Sequence, residues 1–215
     1  KAFRQDPVGR LHQPEFTLLE WYREGFGLEQ LISDVAKLVG TVIGDRPVEM
    51  LSYRDAFLQY IDLDVFNCTD ESLAACARDM IDVSFDEAER DVWLDLLLTH
   101  KVEPQLGRDG LTFLYHYPST QAALSKITHD QDGNAVANRF ELYLDGVELA
   151  NGYEELTSYE EFHRRFDQDN SDRLAMKKPQ VALDRDFAHA MKTGIPDCSG
   201  VALGIDRLLL FIQPN

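Results

Sequence analysis

Long apolar runs are missing from this chain. None of its 215 residues falls in a stretch near the ~20 consecutive apolar residues of a membrane-crossing helix. The first residues lack the charged-then-apolar pattern of a secretory leader. A membrane partner is therefore not expected.

Cysteine is also scarce. Cys68, Cys76 and Cys198 are too few for a disulfide framework, and none sits in the paired CxxC spacing of a zinc site. Cys68 and Cys76 could pair, but two thiols in a helical region of a cytoplasmic protein is the preferred reading.

Positive charge is the third deficit. The chain carries 21 Lys and Arg against 38 Asp and Glu, a formal net charge of −17. A domain gripping nucleic acid along its face needs cations to displace counterions from the phosphates. Only Arg164-Arg165 and Lys177-Lys178 form basic groups. Extensive nucleic-acid gripping is disfavoured, and much of the acidity has the plain role of keeping the protein soluble. Internal repeats and low-complexity segments are absent as well.

What is present is enough for one substantial core, at 44% hydrophobic residues. Phe16 to Tyr22 has the aromatic and β-branched character of a strand, after a loop marked by Gly9 and Pro14. Leu28, Leu31, Ile32, Val35, Leu38, Val39, Val42 and Ile43 recur at helical spacing and stop at Gly44. This stripe is core packing.

Residues 52–100 read as a helical lobe. Ser52 caps a helix over Tyr53–Tyr60, Thr69 or Asp70 caps Glu71–Met80, and Asp86 starts the stretch through Trp93 to Leu98. Leu111–Tyr117 returns to strand. Arg139–Leu144 and Val147–Ala150 form a hairpin about Asp145-Gly146. Ser158 with Glu161 opens a polar helix toward Leu174, and Asp184–Thr193 is another, closed by Gly194. Ser199–Gly204 is strand-like and runs into a helix over Ile205–Ile212. Hairpins segregated from helices imply an α+β fold with an antiparallel sheet flanked by helices.

Three constellations carry chemistry. The first is Phe3-Arg4-Gln5-Asp6, a loop with Arg10 and His12, then Glu15 to Tyr22. A strand arginine grips phosphate oxygens through its planar fork, the loop offers Arg10 and His12 to further phosphates, and Phe16 offers a flat face to a base. Taken singly, each is more simply a surface or core residue; their order raises the signal.

The second is Glu141, Glu148, Asn151 and Glu155. Two hairpin carboxylates suit magnesium, which takes a few carboxylates together with phosphate oxygens. On one continuous strand residues 141 and 148 would face opposite sides, so convergence depends on the turn. The bland alternative is a solvated acidic hairpin. The third is Gly200 to Leu208, a strand-to-helix passage with Ala202, Gly204, Asp206 and Arg207. Its small residues admit a ligand close to the backbone; alone it would be an ordinary turn with a surface arginine.

Together, the first and third constellations resemble motifs 2 and 3 of the class II aminoacyl-tRNA synthetases, and the second resembles the lysyl branch. The similarity runs over nearly the whole chain. Pro14 to Arg23, Gly146 to Gly152 and Pro196 to Gly204 are similar to the shorter paralogues of that branch, ligases that modify a protein. Glu20-Trp21-Tyr22, Ser119-Thr120-Gln121-Ala122 and Ala202 stand where lysyl-tRNA synthetases typically have Glu-Leu-Tyr, Glu-Val-Ser-Pro and glycine.

The resemblance implies one helical-insertion-bearing catalytic domain over residues 1–215, with ATP and Mg2+ as cofactors. It implies Arg4 and Arg207 as the catalytic pair and Asp6, Arg10, His12, Phe16, Glu141 and Gly204 as further ATP contacts. Glu141 and Glu148 become the metal ligands. Glu20, Tyr22, Asn151, Glu155 and Ala202 line the amino-acid pocket. The implied reaction activates (R)-β-lysine, or lysine, as its adenylate and passes it to a lysine of elongation factor P. A lysyl-tRNA synthetase domain charging tRNA, and an inactive synthetase-like binding module, are the competing readings.

Asp6 replaces the family's usual glutamate, and Leu11 stands where an arginine precedes the loop histidine. Motif 1, which builds the family's homodimer interface, is absent. The chain opens on Lys1 with motif 2 under way, so an upstream part is expected.

Overall fold

A computed structural model describes residues 1–5, 8–9, 11–85 and 88–212. Asp6, Arg10 and the helix start assigned to Asp86 lie outside the described residues.

The sheet holds seven strands: β3 (Leu18–Glu24), β4 (Val48–Ser52), β5 (Leu111–Pro118), β6 (Ile127–His129), β7 (Ala135–Leu144), β8 (Val147–Glu154) and β9 (Cys198–Gly204). Their order is β3-β9-β8-β7-β5-β4, with β6 paired to β7. All pairs are antiparallel except β4 with β5. A short ribbon of β1 (Ala2–Phe3) and β2 (Glu15–Phe16) lies apart.

The α+β expectation holds, with corrections in detail. Residues expected as one strand from Phe16 break at Thr17, so Phe16 belongs to the ribbon and Leu18 opens the sheet. Arg4 follows β1 rather than standing on it, its backbone N–H tied to Pro14 O at 3.0 Å. The parallel strand β4 was not expected, because Val48-Glu49-Met50-Leu51-Ser52 is too short for a periodic signal to emerge.

Two faces of the sheet are covered differently. Helix α1 (Leu28–Ile43) lays Leu31, Ile32, Val35 and Val39 on Phe113, Phe140, Leu142, Val201 and Leu203. The opposite face is shared. Helices α2 (Tyr53–Ile61), α3 (Asp70–Met80) and α4 (Arg90–Leu97) pack Tyr53, Phe57, Trp93 and Leu97 against Leu114, Tyr117 and Tyr143 at the β5–β7 side. The β8, β9 and β3 side is left to the cavity described below.

Local signals for these helices are those read from sequence. Ser52 Oγ accepts from Asp55 N, and Thr69 Oγ1 from Ser72 N. Helix α4 starts at Arg90, later than expected, and leaves through a π turn over Leu98–Val102 and a 3-10 turn over Glu103–Gln105. Helices α5 (Tyr159–Ala175) and α6 (Arg185–Thr193) form a side lobe around Leu156, Phe162, Ala188 and Met191. The last helix, α7 (Ile205–Leu209), is shorter than expected.

Among the described residues, no helix is long and apolar enough to cross a membrane.

Candidate active site

The site is assembled from sheet register. One row of paired residues crosses four strands: Glu20 on β3, Ala202 on β9, Asn151 on β8 and Glu141 on β7. The next row is Tyr22, Gly200, Tyr153 and Arg139. Partners in a row project to the same face. Three segments distant in sequence therefore present their polar side chains to one side of the sheet.

Glu148 joins that face through an irregularity. Asn151 pairs with Glu141 and Ala150 with Leu142, but the next pair is Tyr143 with Glu148. The ladder advances one residue on β7 and two on β8, a β-bulge at Leu149. Without it, residues 148 and 151, an odd number apart, would face opposite sides. The turn contributes the hairpin itself, with Asp145 at φ 50° and Gly146 at φ 73°. The bulge, which sequence reasoning missed, is what brings both carboxylates together.

A cavity of about 480 Å³ opens beside these rows. One wall carries Arg4, His12, Phe16 and Glu20; the other carries Glu148, Asn151, Ala202, Gly204 and Arg207. The walls are tied at Thr17, whose N–H donates to Asp206 Oδ2 at 2.6 Å and whose carbonyl accepts from Ile205 N at 3.0 Å. Those bonds hold the start of α7 against the break between β2 and β3. Arg207 accordingly reaches the same cavity as Phe16.

Within the cavity Arg207 Nη1 donates to Glu148 O at 2.8 Å and to Glu148 Oε2 at 3.0 Å, and its Nη2 stands 3.5 Å from His12 Nε2. Arg4 rests its guanidinium 5.3 Å from the centre of the Phe16 ring. Burial raises the Glu148 carboxyl above its ordinary value and the Glu141 charge raises it further, against the pull of Arg207.

Glu141 lies behind this wall rather than lining it. The Tyr117 and Tyr143 hydroxyls donate to its Oε2 at 2.7 and 2.6 Å, while Arg139 and, at 3.5 Å, Asn151 Nδ2 engage its Oε1. Arg139 is itself stacked 4.3 Å from the Tyr117 ring centre and 5.6 Å from that of Tyr153. Sequence reasoning missed Arg139, Tyr117 and Tyr143. The alternation Arg139, Glu141, Tyr143 on one strand was the available signal.

Tyr22 and Glu155 meet one row away, over Gly200. A Cβ at that glycine would fall 2.5 Å from the Tyr22 ring and 2.6 Å from Glu155 Oε1. Burial pushes the Glu155 carboxyl up to about 7. It also raises the Tyr22 hydroxyl, with Glu155 and then Glu20 adding to the shift. Of the site residues expected from sequence, Arg4, His12, Phe16, Glu20, Glu148, Asn151, Ala202, Gly204 and Arg207 line the cavity, whereas Tyr22, Glu141 and Glu155 lie outside its lining.

A sheet of antiparallel strands with a helical insertion, two arginines from opposite ends of the chain and a cavity between them defines the catalytic domain of a class II synthetase-type enzyme. The chain matches the family of class II tRNA synthetases (D, K and N) over residues 1–214, and it belongs to that family. It is 43% identical over 212 residues to the elongation factor P–(R)-β-lysine ligase of Salmonella typhi. That similarity covers 98% of this chain and 65% of the relative's length.

Proposed function

We propose that the protein activates (R)-β-lysine, or lysine, with ATP and transfers it to a lysine side chain of elongation factor P. The reading rests on one observation above all: Arg4 and Arg207 line the same cavity as Glu148 and Asn151. The likeness to the Salmonella typhi ligase supports the choice of substrate and acceptor. The net charge of −17 weighs against tRNA as acceptor.

In the first step a carboxylate oxygen of the amino acid attacks the α-phosphorus of ATP and pyrophosphate departs. In the second, the acceptor ε-amine attacks the acyl carbon and AMP departs. Both reactants of the first step are anions, so the main task is neutralising charge as it develops. Arg4 takes the α-phosphate; to reach it the guanidinium leaves the Phe16 ring and frees that face for adenine. Arg207 closes from the other side, and Gly204 keeps its own wall low. His12 holds the outer phosphates, and Asp6 and Arg10 are assigned to the nucleotide from their place in the motif. No enzyme nucleophile is required, because alignment of the two substrates supplies much of the rate.

Glu141 and Glu148 fit magnesium. They stand on one face of adjacent strands; Glu148 lines the cavity and would take the ion directly, while Glu141, already bonded by Arg139, Tyr117 and Tyr143, would join it by exchanging one of these partners. Among the described residues no three His, Cys, Asp or Glu side chains converge as an all-protein metal cage. The remaining ligands of a magnesium ion here would be phosphate oxygens and water. A magnesium ion held by these carboxylates would supply neutralisation of phosphate charge.

Glu155 and Glu20 pair with the substrate's amino groups, Tyr22 lies alongside, and Asn151 and Ala202 form the floor. The full-length protein works as a cytoplasmic homodimer in this reading.

The test incubates full-length protein with ATP, Mg2+, labelled (R)-β-lysine and either elongation factor P or tRNA. Label on elongation factor P is the expected result. Label on tRNA alone, or on neither, overturns the proposal.

A further inference from the structure

Behind the carboxylate pair lies a third acid that the proposed reaction does not use. Glu103 follows the π turn at the end of α4, a local distortion that often marks functional segments. Its Oε1 stands 3.3 Å from the Tyr143 hydroxyl, the same hydroxyl that donates to Glu141 Oε2 at 2.6 Å. Three carboxylates thus share a neighbourhood with two guanidinium groups, and both cations are taken. Arg139 is paired with Glu141, and Arg207 with Glu148. Among the described residues Glu103 forms no salt bridge.

Proton counting sets the direction of the chain. A phenol has one proton to give. The shorter contact assigns the Tyr143 proton to Glu141, so the contact with Glu103 is favourable only when Glu103 donates. Burial first, and the Glu141 charge second, raise the Glu103 carboxyl, against the lowering effect of the Tyr143 hydroxyl. An ionised Glu103 would compete with Glu141 for the same phenol.

We propose that Glu103 is a positioning residue for Glu141, acting through the Tyr143 hydroxyl to fix the carboxylate that receives magnesium. This rests on the assignment of Glu141 and Glu148 to the metal. Outer-shell groups of this kind orient a ligand and change metal affinity without touching the ion.

The experiment titrates full-length variants with Mn2+ in the presence of a non-hydrolysable ATP analogue, following free Mn2+ by electron paramagnetic resonance. ATP–pyrophosphate exchange with (R)-β-lysine is measured in parallel against Mg2+. Glu103→Ala should weaken Mn2+ binding about tenfold and raise the Mg2+ needed for half-maximal exchange, with the amino-acid KM unchanged. Glu103→Gln, whose amide still donates to the phenol, should restore both. Tyr143→Phe should match Glu103→Ala, and the double variant should lose no more than Tyr143→Phe alone, because one acts through the other. If Glu103→Ala fails to fold, Glu103→Gln and Tyr143→Phe carry the test between them. Metal binding that stays normal in Tyr143→Phe, or multiplicative losses in the double variant, overturns the inference. Should Glu148→Ala leave Mn2+ binding intact as well, the metal assignment itself fails, so the two failures are distinguishable.

Discussion

Arg207 grips Glu148 twice, through its backbone carbonyl at 2.8 Å and through its carboxylate at 3.0 Å. The guanidinium is thereby held against the cavity it lines. A preset cation avoids reorganisation during the reaction, and its counter-anion is a proposed metal ligand. In the proposed reaction nucleotide and ion would enter by exchanging partners within this pair.

Removing that cation tests the phosphate assignment. Arg207→Ala should cut ATP–pyrophosphate exchange at least ~100-fold. Stability should change by no more than about 1 kcal/mol, because the ion pair is partly solvated. Urea melts followed by circular dichroism check the second statement. Exchange that survives would remove Arg207 from the chemistry.

If Glu155 pairs with the substrate's amino group as proposed, amino-acid binding will depend on pH. Burial pushes its carboxyl up to about 7, and an ammonium substrate would need the ionised form. The KM for the amino acid should fall as pH rises through 7, and Glu155→Gln should abolish that dependence while raising KM.

The same shift has a stability consequence of opposite sense. A carboxyl raised from 4.5 to about 7 binds more protons folded than unfolded, so its contribution weakens as pH rises through that window. Glu155→Gln should gain stability over the parent protein at pH 8 compared with pH 5. Denaturant midpoints at the two pH values measure this.

Gly200 is required by space, since its backbone is of an ordinary strand. Gly200→Ala would set a methyl 2.5 Å from the Tyr22 ring and 2.6 Å from Glu155 Oε1, so one of them must move. The amino-acid KM should rise about tenfold or more while the KM for ATP changes little. Equal effects on both would place the defect in the fold rather than in the pocket.

Ala202 sits between Glu20 and Asn151 in the row that floors the pocket. In the proposed pocket its methyl would displace the bound amino acid relative to a glycine floor. Ala202→Gly should move the ratio of exchange rates with (R)-β-lysine and lysine toward lysine. A ratio left unchanged would mean that selectivity is set elsewhere.

Much of this was legible in the letters. The stripe from Leu28 to Ile43 dictated α1, Ser52 and Thr69 announced their helices, and Asp145-Gly146 announced a hairpin. Those signals are local: periodicity, caps and turn residues act within a few positions. Strand β4 and the break at Thr17 were not legible, because a short strand is decided by what lies beside it.

The same division holds for the site. By itself the sequence determined which residue types were present and in which segments, down to the arginines, the four acids and amides of the hairpin, and the small residues near the end. Only the tertiary structure decided that they meet. An extra residue at Leu149 turns Glu148 to the face of Asn151, and a bond between Thr17 and Asp206, 189 positions apart, brings Arg207 opposite Phe16. Register and cross-sheet hydrogen bonds depend on partners far away in the chain, and no local pattern encodes them. Tyr117, Arg139 and Tyr143 meet Glu141 in the same way, by being folded around its carboxylate.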